Sequence, residues 1–301
     1  MTTCYNRGMY DVIIIGSGPA GLSCAIYVAR ANRKVLVLED ENFGGKLNKI
    51  YKIENYPGFS SILGGELASN LYEHAKTFDV EIRQGLVKNL KNKTIVLDNG
   101  ETLEARAIVV ASGVKEKAFD LPNAKDFIGK GISYCAVCDG FFFKGKDVVV
   151  YGSDRQAIED ALYLSTVANK VYLCSPREQF NSEEKLINDV NNNEKVEVIK
   201  NVIPKELVIE NGVLKGLALN DRTIECSGIF PHVGVSPNTV FLDTGLLNEK
   251  GYLKVNEHME TSKEGIFGAG DVIEKELRQV VTACSDGTIA ATSVSKYLNQ
   301  K

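Results

Sequence analysis

Tyr10-Asp11-Val12-Ile13-Ile14-Ile15-Gly16-Ser17-Gly18-Pro19-Ala20-Gly21 is a short run of β-branched residues that ends in a glycine-rich turn. The apolar run has the composition of a strand buried on both faces of a parallel sheet. Leu22 to Ala31 reads as the helix that follows, and Lys34 to Leu38 as the next strand, closed by Glu39. A GxGxxG set between a strand and a helix has a mechanical explanation. Gly16 makes the tight turn, Gly18 lets the backbone approach a pyrophosphate, and Gly21 lets helix and strand pack closely. A diphosphate would sit on the free N–H groups at the helix start. Glu39, 18 residues after Gly21, is placed to accept hydrogen bonds from a ribose.

Further along, the same pattern returns. Asp147 to Tyr151 reads as a strand, Arg155 to Thr166 as a helix and Lys170 to Cys174 as a strand, so the topology of residues 10–40 is repeated at 147–177. Between the repeats, Phe43-Gly44-Gly45-Lys46-Leu47 reads as a flexible loop and Glu66 to Phe78 as an amphipathic helix. Thr94 to Leu97 and Thr102 to Ala105 flank the turn Asp98-Asn99-Gly100 as a hairpin. Ala107 to Ala111 reads as a separate buried strand, and Val114 to Lys117 as a linker. A helix over Ser182 to Val190 and a last helix over Thr282 to Tyr297 complete the elements.

Composition bounds the function. The chain has 301 residues, 44% hydrophobic and 25% charged, which fits two globular domains. No run reaches the about 18 apolar residues of a membrane span. Met1 to Tyr10 lacks an apolar signal core, so a cytoplasmic protein is expected. The net charge of −4 argues against a general attraction to nucleic acid. Lys115, Lys117, Lys125, Lys130, Lys144 and Lys146 are basic residues on either side of Cys135 to Asp139, and they read first as a solvated surface.

Seven cysteines occur, and apart from one pair they are scattered. Cys135-Ala136-Val137-Cys138 can close a small disulfide ring or hold one edge of a metal site. A zinc ribbon needs a second CxxC, and none exists. In a chain rich in βαβ patterns the lone pair reads as redox-active, with no metal. Cys24 and Cys174 read as small buried residues and Cys4 as part of a frayed tail; Phe141-Phe142-Phe143 reads by default as core, with the flavin or an interface as the alternatives.

Gly16-Ser17-Gly18-Pro19-Ala20-Gly21, Glu54-Asn55-Tyr56-Pro57-Gly58, Ala111-Ser112-Gly113, Cys135-Ala136-Val137-Cys138-Asp139 and Gly268-Ala269-Gly270-Asp271-Val272 occur in the order seen in low-molecular-weight thioredoxin reductases, with Arg278-Gln279 following. The chain resembles that family over nearly its whole length. The resemblance implies an α/β fold of two nucleotide-binding-type, Rossmann-like domains. The FAD domain would be discontinuous, residues 1–115 and 246–301, with a smaller redox-disulfide domain inserted at 116–245. It implies FAD contacts at Gly16, Ser17, Gly18, Pro19, Ala20, Gly21, Glu39, Gly45, Lys46, Asn55, Val87, Ala111, Gly270, Asp271, Arg278, Gln279 and Val280. It also implies that the flavin reduces a Cys135–Cys138 disulfide and the dithiol then reduces thioredoxin. Cys138 would be the sulfur nearer the flavin, Cys135 the thiol that exchanges with thioredoxin, and Asp139 the acid–base group. A homodimer is a further family expectation.

The second repeat departs from the family. Its NADPH loop resembles GxGxxA, and this chain has Gly152-Ser153-Asp154-Arg155-Gln156-Ala157, with Asp154 at the place of the central glycine. Arg155 is available to offset part of that charge. The arginine cluster that holds a 2′-phosphate is reduced to Arg177 in Ser175-Pro176-Arg177-Glu178-Gln179-Phe180-Asn181. In this the chain is most like the ferredoxin-dependent flavin thioredoxin reductases. Reduced ferredoxin is then the expected electron donor, no NADPH site is expected, and the disulfide is expected to rest against the flavin ring. An NAD(P)H-dependent reductase with a drifted nucleotide site is the alternative, and a non-catalytic redox-sensing flavoprotein a minor one.

Overall fold

The computed structural model describes residues 9–300, so Cys4 lies outside the described residues. The chain divides into two compact units. The first takes the described residues up to Lys115 and those from Ser236 onward; the second is Glu116–Val235. The return to the first unit thus comes at Ser236 rather than at 246. Phe241, Leu242 and Leu246 are all buried in the first unit's core, and the Leu90 N–H donates to the Phe241 carbonyl there.

In the first unit, Tyr10–Ile15 pairs in parallel with Val35–Glu39 on one side and Thr102–Val110 on the other. Glu81–Gln84 and Ile266–Gly268 extend this parallel sheet at its two edges. The all-apolar run Val12 to Ile15 is buried on both faces, as a central parallel strand must be. The helices Pro19–Arg30, Gly64–Lys76 and Val280–Asn299 also belong to this unit. The first and last of them approach closely at Gly287, where a β-carbon would lie 2.1 Å from the Ala20 carbonyl oxygen.

The expected break after Ala105 is absent. Thr102–Val110 is one strand, whose first half pairs antiparallel with Thr94–Leu97 and whose second half joins the parallel sheet. Arg106 lies within the continuous register, and its guanidinium pairs at 2.9 Å with Asp11 of the neighbouring strand. The loop expected at Phe43 to Leu47 contains a 3-10 turn, Gly45–Lys49. The linker expected at Val114 to Lys117 contains a strand, Val114–Glu116, paired with Val235–Pro237.

The second unit repeats the first. Asp147–Tyr151, Arg155–Ser165 and Lys170–Cys174 form strand, helix and strand, and the sheet order places 196–199, 170–174, 147–151 and 228–231 side by side in parallel. A three-stranded antiparallel meander, 204–225, precedes the fourth strand. The first unit has a meander at the same point, and its third strand, Thr102–Val110, is itself the one that returns beside the first. Among the described residues, no helix is long and apolar enough to cross a membrane.

Candidate functional site: a glycine cradle, a disulfide and a filled helix start

The first unit gathers its predicted residues at the carboxyl ends of the parallel strands, where ligands of such sheets bind. Gly16 has φ +107°, and a β-carbon there would lie 2.3 Å from the Ala111 carbonyl oxygen. Gly21 is tighter, with its added carbon 1.9 Å from the Gly16 carbonyl oxygen. Gly18, the cap of the first helix, differs from both. Its backbone is extended, at φ −70° and ψ −177°, and an added carbon would meet nothing within 4 Å. The fold therefore needs Gly16 and Gly21, while Gly18 leaves open space in front of a helix start. Pro19 opens that helix without sacrificing a bonded N–H, and Ala20 is buried behind it.

Glu39 ends the second strand with its carboxylate anchored. One oxygen accepts from the Ser17 N–H (2.9 Å) and Ser17 Oγ (2.7 Å), the other from the Asp40 N–H (2.9 Å). Burial pushes its pKa up, and the Ser17 bonds oppose that. The Gly44–Gly45 turn folds onto this point: the Gly44 N–H donates to the Ser17 carbonyl, and Gly45 lies against the Gly18 α-carbon.

Gly270, with φ +78°, abuts Ala20. Beside it Asp271 keeps one carboxylate oxygen buried with no hydrogen-bond partner. Burial raises its pKa, and the charges of Lys275, Lys46 and Arg278 pull the other way. A buried acceptor left unmade beside an open helix start fits a polar group of a bound dinucleotide. The Gly270 N–H is held by Asp286 at 3.1 Å, a carboxylate that also pairs with Lys275. Asn55 and Gln279 meet through an Asn55 Nδ2 to Gln279 Oε1 bond of 3.1 Å, and Gln279 caps the last helix, whose first residue is Val280. Arg278 lies over the Tyr252 ring at 4.3 Å and reaches the Asp271 and Ile273 carbonyls. Val87 is buried in the core at the start of the meander. The residues present fit FAD: an open glycine cradle, an acid anchored at the end of the second strand and an unpartnered buried acceptor.

This cradle yields a direct test. Gly18→Asp is expected to give a folded protein without bound flavin, because the new side chain enters ligand space and not the core. Gly21→Ala is expected to lose both flavin and stability, by at least about 3 kcal/mol, because its clash is with backbone. Flavin absorbance after purification and thermal melting of the apoproteins separate the two. Equal melting of both variants would contradict the assignment of space.

In the second unit, Cys135 and Cys138 form a disulfide. Cys135 precedes the short helix Ala136–Asp139 and is 8% exposed, whereas Cys138 is exposed. Asp139 accepts a 2.6 Å bond from Ser133 Oγ, and Ser133 itself is buried. Ser133 was not legible as a site residue: nothing in its spacing distinguishes it from any loop serine. Phe141 and Phe142, expected in the core, are 69% and 71% exposed. Only Phe143 packs inward, edge-on to Phe230. Cys24, Cys174 and Cys226 are buried, and burial raises the pKa of all three, to about 12 for Cys174 and Cys226.

The second glycine turn is filled by its own chain. Asp154 caps the helix Arg155–Ser165, and its carboxylate accepts the Ala157 N–H at 3.0 Å. Arg155, expected to soften that charge, is committed elsewhere. Its Nε bonds Glu159 at 2.7 Å, and its Nη1 pairs with Glu183. Asn181 N–H donates to the Ser153 carbonyl, which draws the 175–181 loop alongside the turn. In that loop Glu178 accepts from Asn201 and faces Lys200.

Two nucleotide-binding-type units, one of which carries a CxxC disulfide, define a disulfide oxidoreductase. Residues 10–287 match the pyridine nucleotide-disulphide oxidoreductase family. The thioredoxin reductase of Bacillus subtilis is 42% identical over 97% of this chain and 96% of its own length. The thioredoxin reductase of Lactococcus lactis superposes with a TM-score of 0.93 at 32% identity, covering 97% of this chain and all of that one. A ferredoxin-flavin thioredoxin reductase from Clostridium acetobutylicum gives 0.54 at 32% identity over 97% and 99%. The chain belongs to the thioredoxin reductase family, whose members bind FAD.

Proposed function

We propose that this chain reduces the disulfide of thioredoxin through Cys135 and Cys138, with FAD bound in the first unit and with electrons from reduced ferredoxin rather than from NADPH. The observation that carries the choice of donor is the Asp154 carboxylate, which stands at the helix start and accepts the Ala157 N–H that a pyrophosphate would otherwise meet. FAD, when bound, supplies a two-electron store that can be filled one electron at a time. It would be held by Gly16 to Gly21, Glu39, Gly45, Lys46, Asn55, Ala111, Gly270, Asp271, Arg278 and Gln279. Val87 and Val280 border that set.

The protein's own chemistry is thiol–disulfide exchange. In the dithiol state Asp139 takes the proton of the Cys135 thiol. The Cys135 sulfur attacks one thioredoxin sulfur, the thioredoxin S–S bond breaks, and the departing thiolate takes a proton from Asp139. The Cys138 sulfur then attacks Cys135 as its proton passes to the second thioredoxin sulfur, so the mixed disulfide breaks, the Cys135–Cys138 bond closes and the second thioredoxin thiol leaves. Two electrons and two protons pass to thioredoxin. Because Cys135 is 8% exposed in this structure, this order requires Cys135 to become more accessible before thioredoxin engages.

The test is stoichiometric. Anaerobic holoprotein with reduced ferredoxin and oxidised thioredoxin should oxidise two one-electron ferredoxins for each thioredoxin dithiol formed. No dithiol formation would sink the reading. The competing reading, an NAD(P)H-dependent reductase with a drifted site, is favoured by the greater likeness to the Bacillus and Lactococcus proteins. A homodimer and a cytoplasmic setting belong to the same proposal.

Lys144 and Lys146 are exposed five and seven residues beyond the Ala136–Asp139 helix and would attract an acidic partner. Lys144→Glu with Lys146→Glu is expected to lower kcat/KM for ferredoxin or thioredoxin about tenfold at low salt, and to have little effect at high salt. Unchanged kinetics at low salt would remove these lysines from docking.

A further inference from the structure

Ser133 connects the two reacting ends of the redox motif. Its backbone is fixed by an N–H donated at 3.0 Å to the Ile229 carbonyl of the buried strand Gly228–Pro231, so its hydroxyl is carried by the core and not by a free loop. That hydroxyl accepts the Cys135 N–H at 3.0 Å and donates to Asp139 at 2.6 Å, within the range of a hydroxyl–carboxylate bond. The Cys135 carbonyl, at 3.3 Å, is a second acceptor for the same proton. At 5% exposure, water has little access to substitute for it. We propose that Ser133 is a positioning residue for the exchange reaction, holding the Asp139 carboxylate in register with the Cys135 backbone and turning its hydroxyl to the Cys135 carbonyl when Asp139 carries the proton. The proposal rests on the reading of Asp139 as the acid–base group.

The experiment is a double-mutant cycle on the holoprotein. Protein reduced with dithionite is mixed with oxidised thioredoxin, and the limiting rate and the half-saturating thioredoxin concentration are measured for wild type, Ser133→Ala, Asp139→Asn and the double variant. Ser133→Ala is expected to lower the limiting rate about tenfold with half-saturation within about twofold. In the Asp139→Asn background the same change is expected to have no further effect. Ser133→Thr, which keeps the hydroxyl, is expected to stay within about threefold of wild type. If Ser133→Ala slows the Asp139→Asn protein by the same factor as wild type, or acts on half-saturation alone, Ser133 does not work through Asp139 and the proposal fails. If Asp139→Asn by itself leaves the rate unchanged, the acid–base reading fails, and the proposal with it.

Discussion

Anaerobic addition of NADPH or NADH to the yellow holoprotein is expected to leave the flavin band in place, while reduced ferredoxin bleaches it. The expectation follows from what sits at the start of the helix Arg155–Ser165. A carboxylate about 4 Å from a phosphate, at an effective dielectric near 20, costs about 4 kcal/mol for each charge pair. That is on the order of a thousandfold in affinity. Arg155 does not offset it, because Glu159 and Glu183 already hold its guanidinium. The Ala157 N–H that a phosphate would use is occupied as well. The first unit shows why the fold tolerates such a residue. Its equivalent glycine, Gly18, faces open space, so a side chain at this position obstructs the ligand and leaves the packing untouched. Asp154→Gly should therefore fold normally, losing a cap at a cost of a few tenths of a kcal/mol. It should gain NADPH affinity by at least about tenfold, yet stay weak, since Arg177 alone replaces an arginine cluster. Prompt bleaching of the wild-type flavin by either nucleotide would overturn the ferredoxin assignment.

Replacing either cysteine of the pair should stop thioredoxin turnover, with a loss of at least about a thousandfold, because exchange needs a nucleophile and a resolving thiol. The two variants should fail differently. Cys138→Ser keeps the Cys135 thiol and should accumulate a mixed disulfide with thioredoxin, visible on a non-reducing gel. Cys135→Ser should not. Both should retain FAD, since the cradle of Gly16 to Gly21 and Asp271 belongs to the first unit. Accumulation with Cys135→Ser instead would exchange the two roles, an outcome for which the exposure of Cys138 provides a route. Loss of flavin in either variant would mean that the pair is needed to build the cofactor site.

Much of this protein is readable along the chain because the informative features are local. A β-branched run followed by GxGxxG specifies a buried strand, a tight turn and a helix start within 12 residues, and the repeat at Asp147 is read the same way. The CxxC and the aspartate in place of a glycine are likewise visible from spacing alone. Other features depend on partners far apart in sequence. Asn55 meets Gln279, Gly270 is held by Asp286, and Asp11 pairs with Arg106 across two strands far apart in sequence. Arg155 offers a free cation in the sequence and has none to spare in the fold, since Glu183 approaches from the cap of another helix, Glu184–Asn191. Ser133 gains its place only because the buried strand Gly228–Pro231 pins its backbone two residues before Cys135. The sequence by itself determined the two glycine turns and the thiol pair, since backbone strain and side-chain spacing act over a few residues. The tertiary structure alone decided which charges and donors remain available to a ligand, because a hydrogen bond or ion pair is spent on whichever partner folding brings within about 3 Å.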